Sequence, residues 1–359
     1  MPDTATKPAS TGPLTAPVAG ADLPATAPAW ASRMASVARS GTSSVFMLHG
    51  NTLDLVPVGS TYGTIATFLA EQLFGRYELV LHYDLGRGLR AFAGGSGARL
   101  QQMIVTANKA GLDFETVKND PAVVIATIDA LIRKTIMQAP ADRLKLAVLI
   151  DQASFLFPSG EPGRFSYPAA GMLVTALNWA SSPHLKALDV AIVMLDERKA
   201  DLNDRLTGNP HVTLIEVPLP DALERERFLT ALLGATQASD VSDFGVPELA
   251  KLTAGLSLTN VRSLLTTAMR GNTRLDAKAF VALKKGLLEQ QCQGLLEFVE
   301  PKWGLDTVVG FAQAKQRLRD DAALLARGEL ECVPMGYLIC GPVGTGKSFL
   351  AYCSAKEMG

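Results

Sequence analysis

The chain has 359 residues, 48% hydrophobic and 19% charged, and its 34 basic and 35 acidic side chains leave a formal charge of −1. That balance excludes a global positive field of the kind that draws proteins to nucleic acid or to acidic membranes, and the length suits about two domains with ordinary cores. The four cysteines, Cys292, Cys332, Cys340 and Cys353, show no C-x-x-C spacing, so neither a zinc site nor a disulfide framework is indicated and reduced thiols in a cytoplasmic protein are expected.

No basic stretch followed by an apolar one opens the sequence, and no apolar run approaches ~18 residues, so neither a signal peptide nor a membrane span is expected. Residues 1–40 are rich in Ala, Pro, Thr, Ser and Gly. Such a composition buries too little apolar surface to offset ordering, and predicts a disordered tail with room for a short helix from Trp30 to Ala38. From Val45 short apolar runs alternate with helical periodicity. Strands are expected at Val45–His49, Glu78–Tyr83, Leu144–Ile150, Val190–Leu195 and Val212–Val217. Helices are expected at Tyr62–Leu73, Ala98–Asn108, Ala122–Met137 and Ala169–Ser181. Long crossovers between apolar strands predict an α/β fold, a parallel sheet with helices on both faces.

After Pro220 the strand signals stop. Asp221 and Glu224 have capping-box spacing ahead of Ala222–Leu233; further helices are expected at Pro247–Thr253, at Leu258–Met269 and from Asp276 to about Phe298. This predicts a small all-α lid. Pro301 and Gly304 mark a linker, and Asp306 to Leu325 reads as a strand-like entry followed by an amphipathic helix.

The apolar run Tyr337–Cys340, expected as a strand, then feeds Gly341-Pro342-Val343-Gly344-Thr345-Gly346-Lys347-Ser348, which fits the phosphate-binding pattern G-x-x-x-x-G-K-[ST]. Glycines permit backbone angles that a Cβ forbids, so successive N–H groups can turn around a phosphate at the start of the helix that begins near Phe349. In that pattern Lys347 reaches the β/γ-phosphates and Ser348 ligates Mg²⁺.

The order of these pieces resembles a tandem AAA ATPase. Trp303 to Gly310, with Lys315 and Leu318 beyond, is similar to the segment that cups adenine in that family, which points to Thr307, Val308 and Val309; a glycine or alanine is usual where Val309 stands. Leu146 to Gln152 sits where a Walker B strand would end in Asp-Glu, with Gln152 in place of the glutamate. Ile215 to Asp221 is similar to the string leading from an AAA core into its lid, and Gly255 to Asn260 to the lid helix entry that carries sensor 2. The resemblance implies a P-loop NTPase-like fold with residues 41–220 as a degenerate α/β module, 221–299 as the lid, and 300–359 as the linker and start of a second P-loop module. It implies ATP and Mg²⁺ as cofactors, a protein partner to be remodelled, and a ring of like subunits; it gives no sign of nucleic acid or membrane.

The first module lacks its own phosphate loop. The place after its first strand reads Gly50 to Gly59 without Gly-Lys-Ser/Thr, and no lysine occurs between Lys7 and Lys109. Asp54 would set a negative charge beside a phosphate, Gln152 cannot act as a carboxylate base, and Gly208 to His211 supplies no arginine. Asp151 is expected to hydrogen-bond at a strand end. Gly86 to Ala91 imitates a dinucleotide fingerprint poorly, because Gly94 to Gly97 interrupts the helix it needs. Phe92 near that loop's tip is either a grip on an extended polypeptide or part of a surface loop. Arg198, Arg205, Arg225 and Arg227 are expected on a solvated face or a subunit contact. Two functions stay foremost: the N-terminal part of an ATPase, truncated after its phosphate loop and unable to hydrolyse ATP by itself, or a non-enzymatic adaptor built on a degenerate AAA fold; a nucleotide kinase or other P-loop enzyme suits the loop but not the linker and lid strings.

Overall fold

The computed structural model describes residues 23–24, 27–117, 119–234, 242–270, 285–286, 301–326 and 333–358. It divides into two compact units, Met1–Asp276 and Ala277–Gly359.

The apolar runs Val45–Gly50 (β1), Leu146–Asp151 (β6) and Val190–Leu195 (β7) have almost every side chain buried. Continuous burial is the mark of strands covered on both faces, and these are central and parallel. With Leu79–Asp84 (β4), Gly88–Ala91 (β5) and Val212–Val217 (β8) they form a six-stranded sheet in the order β5-β4-β6-β7-β1-β8. Neighbouring strands are parallel except that β5 runs antiparallel to β4. Strand β1 lies inside the sheet, with Phe46 opposite Val193 of β7 on one side and Thr213 of β8 on the other. Later strands fill both sides of it, which makes its carboxyl end a topological switch point. Helices Gly97–Lys109 (α3), Pro121–Met137 (α4) and Tyr167–Ser181 (α5) are among those covering the two faces.

Four expectations about the α/β layer are corrected. The short helix expected from Trp30 to Ala38 is present as α1, Ala29–Ser40, but the disordered-tail reading fails there: Trp30, Met34 and Ala35 are buried in the main core and the Trp30 ring lies 5.5 Å from Phe68. Sheet packing supplied the apolar partner that local composition did not reveal. Residues 1–22 lie outside those described. The helix expected from Tyr62 begins later: Leu55–Val58 (β2) and Thr61–Thr64 (β3) form an antiparallel hairpin, and Thr64 caps a helix over Ile65–Leu73 (α2), whose second half is π-helical. The glycine-flanked stretch at Gly88 is strand β5 rather than a loop. Phe92 is not an exposed tip; it is half-buried against the core, its ring 4.8 Å from His82.

The helical part of the first unit is built from Ala222–Leu233 (α8), Val246–Leu252 (α9) and Leu258–Arg270 (α10), after short helices Pro183–Lys186 (α6) and Asp204–Thr207 (α7). Asp221 and Glu224 do form a capping box. Arg225 leaves the expected solvated face: it is buried, and its guanidinium donates to the carbonyls of Ala250 and Pro220. The helix expected from Asp276 to Phe298 lies almost wholly outside the described residues.

In the second unit the strand-like entry is a 3-10 turn, Leu305–Thr307, followed by Ala312–Ala326 (α11) and Lys347–Met358 (α12). Leu305, Val308, Leu318, Leu350 and Cys353 make its small core. The apolar run Tyr337–Cys340 pairs with no described strand, and Leu338 is 91% exposed.

Replacing Trp30 by alanine removes a large buried side chain and should cost about 3 kcal/mol of unfolding free energy. Urea denaturation of the two proteins measures it, and an unchanged midpoint would return α1 to the status of a dispensable tail.

Candidate functional site

Gly341 to Ser348 forms a turn entering α12. Gly344 (φ 84°) and Gly346 (φ 79°) lie in the left-handed region, so two of the three glycines are required by backbone angle. At Gly341 a Cβ would come within 3.2 Å of the Thr345 hydroxyl oxygen. That hydroxyl donates to the Pro342 carbonyl at 2.9 Å, and Lys347 Nζ donates to the Gly341 carbonyl at 2.9 Å. The loop and Ser348 are exposed. These features fit a phosphate: open amides at the start of a 12-residue helix, an ammonium resting on the loop's own carbonyls, and a hydroxyl in the first turn where Mg²⁺ would need it.

The predicted base-contacting residues divide. Val308 is buried in the core shared with Leu350 of α12, and its carbonyl accepts from Lys315 Nζ at 2.7 Å. Thr307 is exposed and Val309 is 92% exposed; Phe349, expected at the nucleotide site as the residue after Ser348, is 40% exposed. The segment approaching the loop is tethered by the Tyr337 hydroxyl, which donates to Asp321 at 2.6 Å. That bond, together with Arg317 and against the effect of burial, holds the Asp321 carboxyl below the usual carboxylate range, and it pushes the Tyr337 phenol up.

The corresponding place in the first unit is built differently. A Cβ on Gly50 (φ 100°) would meet the Val217 carbonyl oxygen at 2.7 Å, so β1 ends against β8 with no room for a side chain. The chain then turns through Asn51 to Asp54 into the β2–β3 hairpin. The buried Asp54 side chain faces α10 rather than an open phosphate loop. An apolar cavity of about 410 Å³ lies between the hairpin, the β8–α8 connection and α10.

At the carboxyl ends of β4, β6 and β7 a second, polar cleft of about 780 Å³ holds a chain of side chains that the sequence did not reveal. Asp84 accepts from Arg90 at 2.9 Å, Arg90 donates to His82 Nδ1 at 3.0 Å, and His82 Nε2 lies 2.6 Å from Asp151. A guanidinium only donates, so His82 accepts at Nδ1 and its Nε2–H donates to Asp151. Asp151 therefore has the strand-end hydrogen bond expected of it, and Gln152 beside it sits at a positive φ of 52°. The only sequence signal for this relay is alternation: His82 and Asp84 are two apart on β4 and so share a face. Burial acts to raise the Asp84 carboxyl, but the Arg87 N–H, Arg90 and His82 outweigh it and leave it below the usual carboxylate range.

Residues 16–218 match the family model described as "AAA+ chaperone, N-terminal Rossmann-like domain", and residues 223–293 match "AAA+ chaperone, second helical domain". The protein belongs to this AAA+ chaperone family. Gly341 to Ser348 lies outside both matches. No curated protein matches the chain. Among solved structures it is similar to a chain of the E. coli MS115-1 HORMA:CdnC:Trip13 complex, with 16% identity, a TM-score of 0.42 and coverage of 71% of this chain and 77% of the other, a likeness too low to carry a conclusion.

A carboxylate held below its unfolded value contributes stability that is full above the unfolded pKa and is lost as pH falls through the folded one. The difference in Tm between the wild type and Asp84→Asn should therefore be full above about pH 5 and close below about pH 4. Thermal unfolding across that range is the measurement, and a gap that stays constant with pH would remove Asp84 from the relay's energetics.

Proposed function

We propose that this AAA+ protein binds ATP at Gly341 to Ser348 and that nucleotide binding there serves the remodelling of a protein partner. The observation that carries the proposal is the loop itself: left-handed Gly344 and Gly346, exposed loop residues at the start of α12, and Lys347 held on the loop's own carbonyls. The amides and Lys347 would hold the β- and γ-phosphates by charge and hydrogen bonding, and Ser348 would ligate Mg²⁺. When bound, Mg²⁺ neutralises charge on the phosphate oxygens. Thr307, Val309 and Phe349 would border the nucleotide, with Val308 supporting them from the core. In this proposal like subunits assemble as a ring in the cytoplasm; among the described residues no helix is long and apolar enough to cross a membrane.

A non-enzymatic part is supported for the first unit, where buried Asp54 stands after β1 and no lysine is near in sequence. That unit would act as a scaffold or adaptor surface, leaving nucleotide chemistry to the second.

Lys347→Ala should weaken binding of a fluorescent ATP analogue by at least about 100-fold, since it removes a charge-assisted contact to phosphate and exposes the loop carbonyls it covers. Titration of both proteins tests this. Equal affinity in the two would place the nucleotide elsewhere.

A further inference from the structure

The main apolar cluster of the first unit runs from Trp30 to Val217 and includes none of the buried side chains of α8, α9 or α10. Contacts outside that cluster therefore join the helical lid to the α/β layer. One is the Tyr62 ring of the hairpin against Phe228 of α8, edge to face at 4.8 Å. The other is Asp54.

Asp54 is 4% exposed and both of its carboxylate oxygens are saturated. Oδ2 accepts from Leu258 N at 2.9 Å and from Asn51 Nδ2 at 2.7 Å; Oδ1 accepts from Thr259 N at 2.8 Å and the Thr259 hydroxyl at 3.0 Å. A helix leaves its first amides without internal partners, and these need acceptors when buried. In α10 the local cap, Ser257, accepts from Asn260 N at 3.2 Å. The remaining two first-turn amides go to Asp54, which precedes Leu258 by 204 residues. Its negative charge also faces the positive end of a 13-residue helix.

The loop that carries Asp54 is itself fixed. Asn51 N donates to the Val217 carbonyl at 2.9 Å, the same oxygen that crowds Gly50. From Val217 the chain passes through Pro218 and Pro220, whose rings restrict the backbone, into α8. The start of the loop and the root of the lid are therefore bonded to each other, and Asp54 closes the circuit at α10.

We propose that Asp54 is an internal anion that latches the lid to the α/β layer, so that the chain itself, and not a bound ligand, sets the lid's position in the first unit. The loop after β1 still presents a negative group to a helix terminus, but that group is covalently part of the protein and permanently present.

Hydrogen exchange on the full 359-residue chain tests the latch in peptides covering Leu258–Arg270. In Asp54→Ala these amides should exchange about tenfold faster than in the wild type, with β1 and β6 peptides unchanged. Sodium acetate, compared with sodium chloride at equal ionic strength, should slow them again by supplying the missing carboxylate. Wild-type exchange rates in the alanine variant would overturn the proposal. Acceleration that acetate leaves untouched would also overturn it, reducing Asp54 to a packing contact. If Asp54→Ala does not fold, Asp54→Asn, which keeps the shape and one acceptor oxygen, is read in the same peptides; accelerated exchange supports the latch and wild-type rates refute it.

Discussion

The first unit depends on the close approach of β1 and β8 at their carboxyl ends. Gly50 can lie 2.7 Å, measured from an imagined Cβ, from the Val217 carbonyl only because it has no side chain. That contact sets where the loop after β1 begins and where the lid connection leaves. It also brings Asn51 into bonding distance of Val217 and lets Asp54 reach α10. A larger residue at position 50 would move strand, loop and lid root together, because protein interiors have little free volume to absorb the displacement.

The protein treats two comparable loop positions in opposite ways. After β1 the helix terminus in reach is satisfied by the chain's own carboxylate, both of whose oxygens are used. At Gly341 to Ser348 the first-turn groups are exposed, two glycines hold left-handed angles, and Lys347 rests on loop carbonyls. An internal anion costs no association entropy and cannot leave, which suits a fixed scaffold; an open cradle can respond to a ligand. The polar relay from Asp84 through Arg90 and His82 to Asp151 extends the first pattern, since these charged groups at the strand ends are paired with one another.

The central strands were legible because Val45, Leu146 and Val190 each open a run of apolar residues too continuous for a half-exposed strand. The lid start was legible from Asp221 and Glu224, whose spacing is a local rule of helix capping. Three features escaped: the burial of α1, strand β5 and the β2–β3 hairpin. Helix α1 has an unremarkable composition until Trp30 and Met34 meet Phe68 and the sheet; β5 is four residues long with a glycine and an arginine; the β2–β3 hairpin carries Pro57 and Gly63. The burial of α1 rests on partners distant in sequence, which no local propensity records, while β5 pairs with nearby β4 and the hairpin with itself, so there short length, glycine and proline hid the strands. Tyr337–Cys340 failed in the opposite direction: its residues favour a strand, but a strand requires a neighbour to satisfy its backbone, and none is present among the described residues.

The sequence by itself determined the parallel α/β core, the capped lid entry and the glycine-lysine loop, because apolar period, capping spacing and glycine's freedom at positive φ act within a few residues. It also determined that the loop after β1 lacks a lysine. What that loop does instead was decided by tertiary structure. Asp54 finds the amides of Leu258 and Thr259, and His82 finds Asp151 and Arg90, through pairings whose partners are set by strand order and lid placement. A hydrogen bond between residues 204 positions apart exists only once the backbone has brought them together, since its geometry tolerates only tenths of an ångström while the chain between them has no fixed length until it folds.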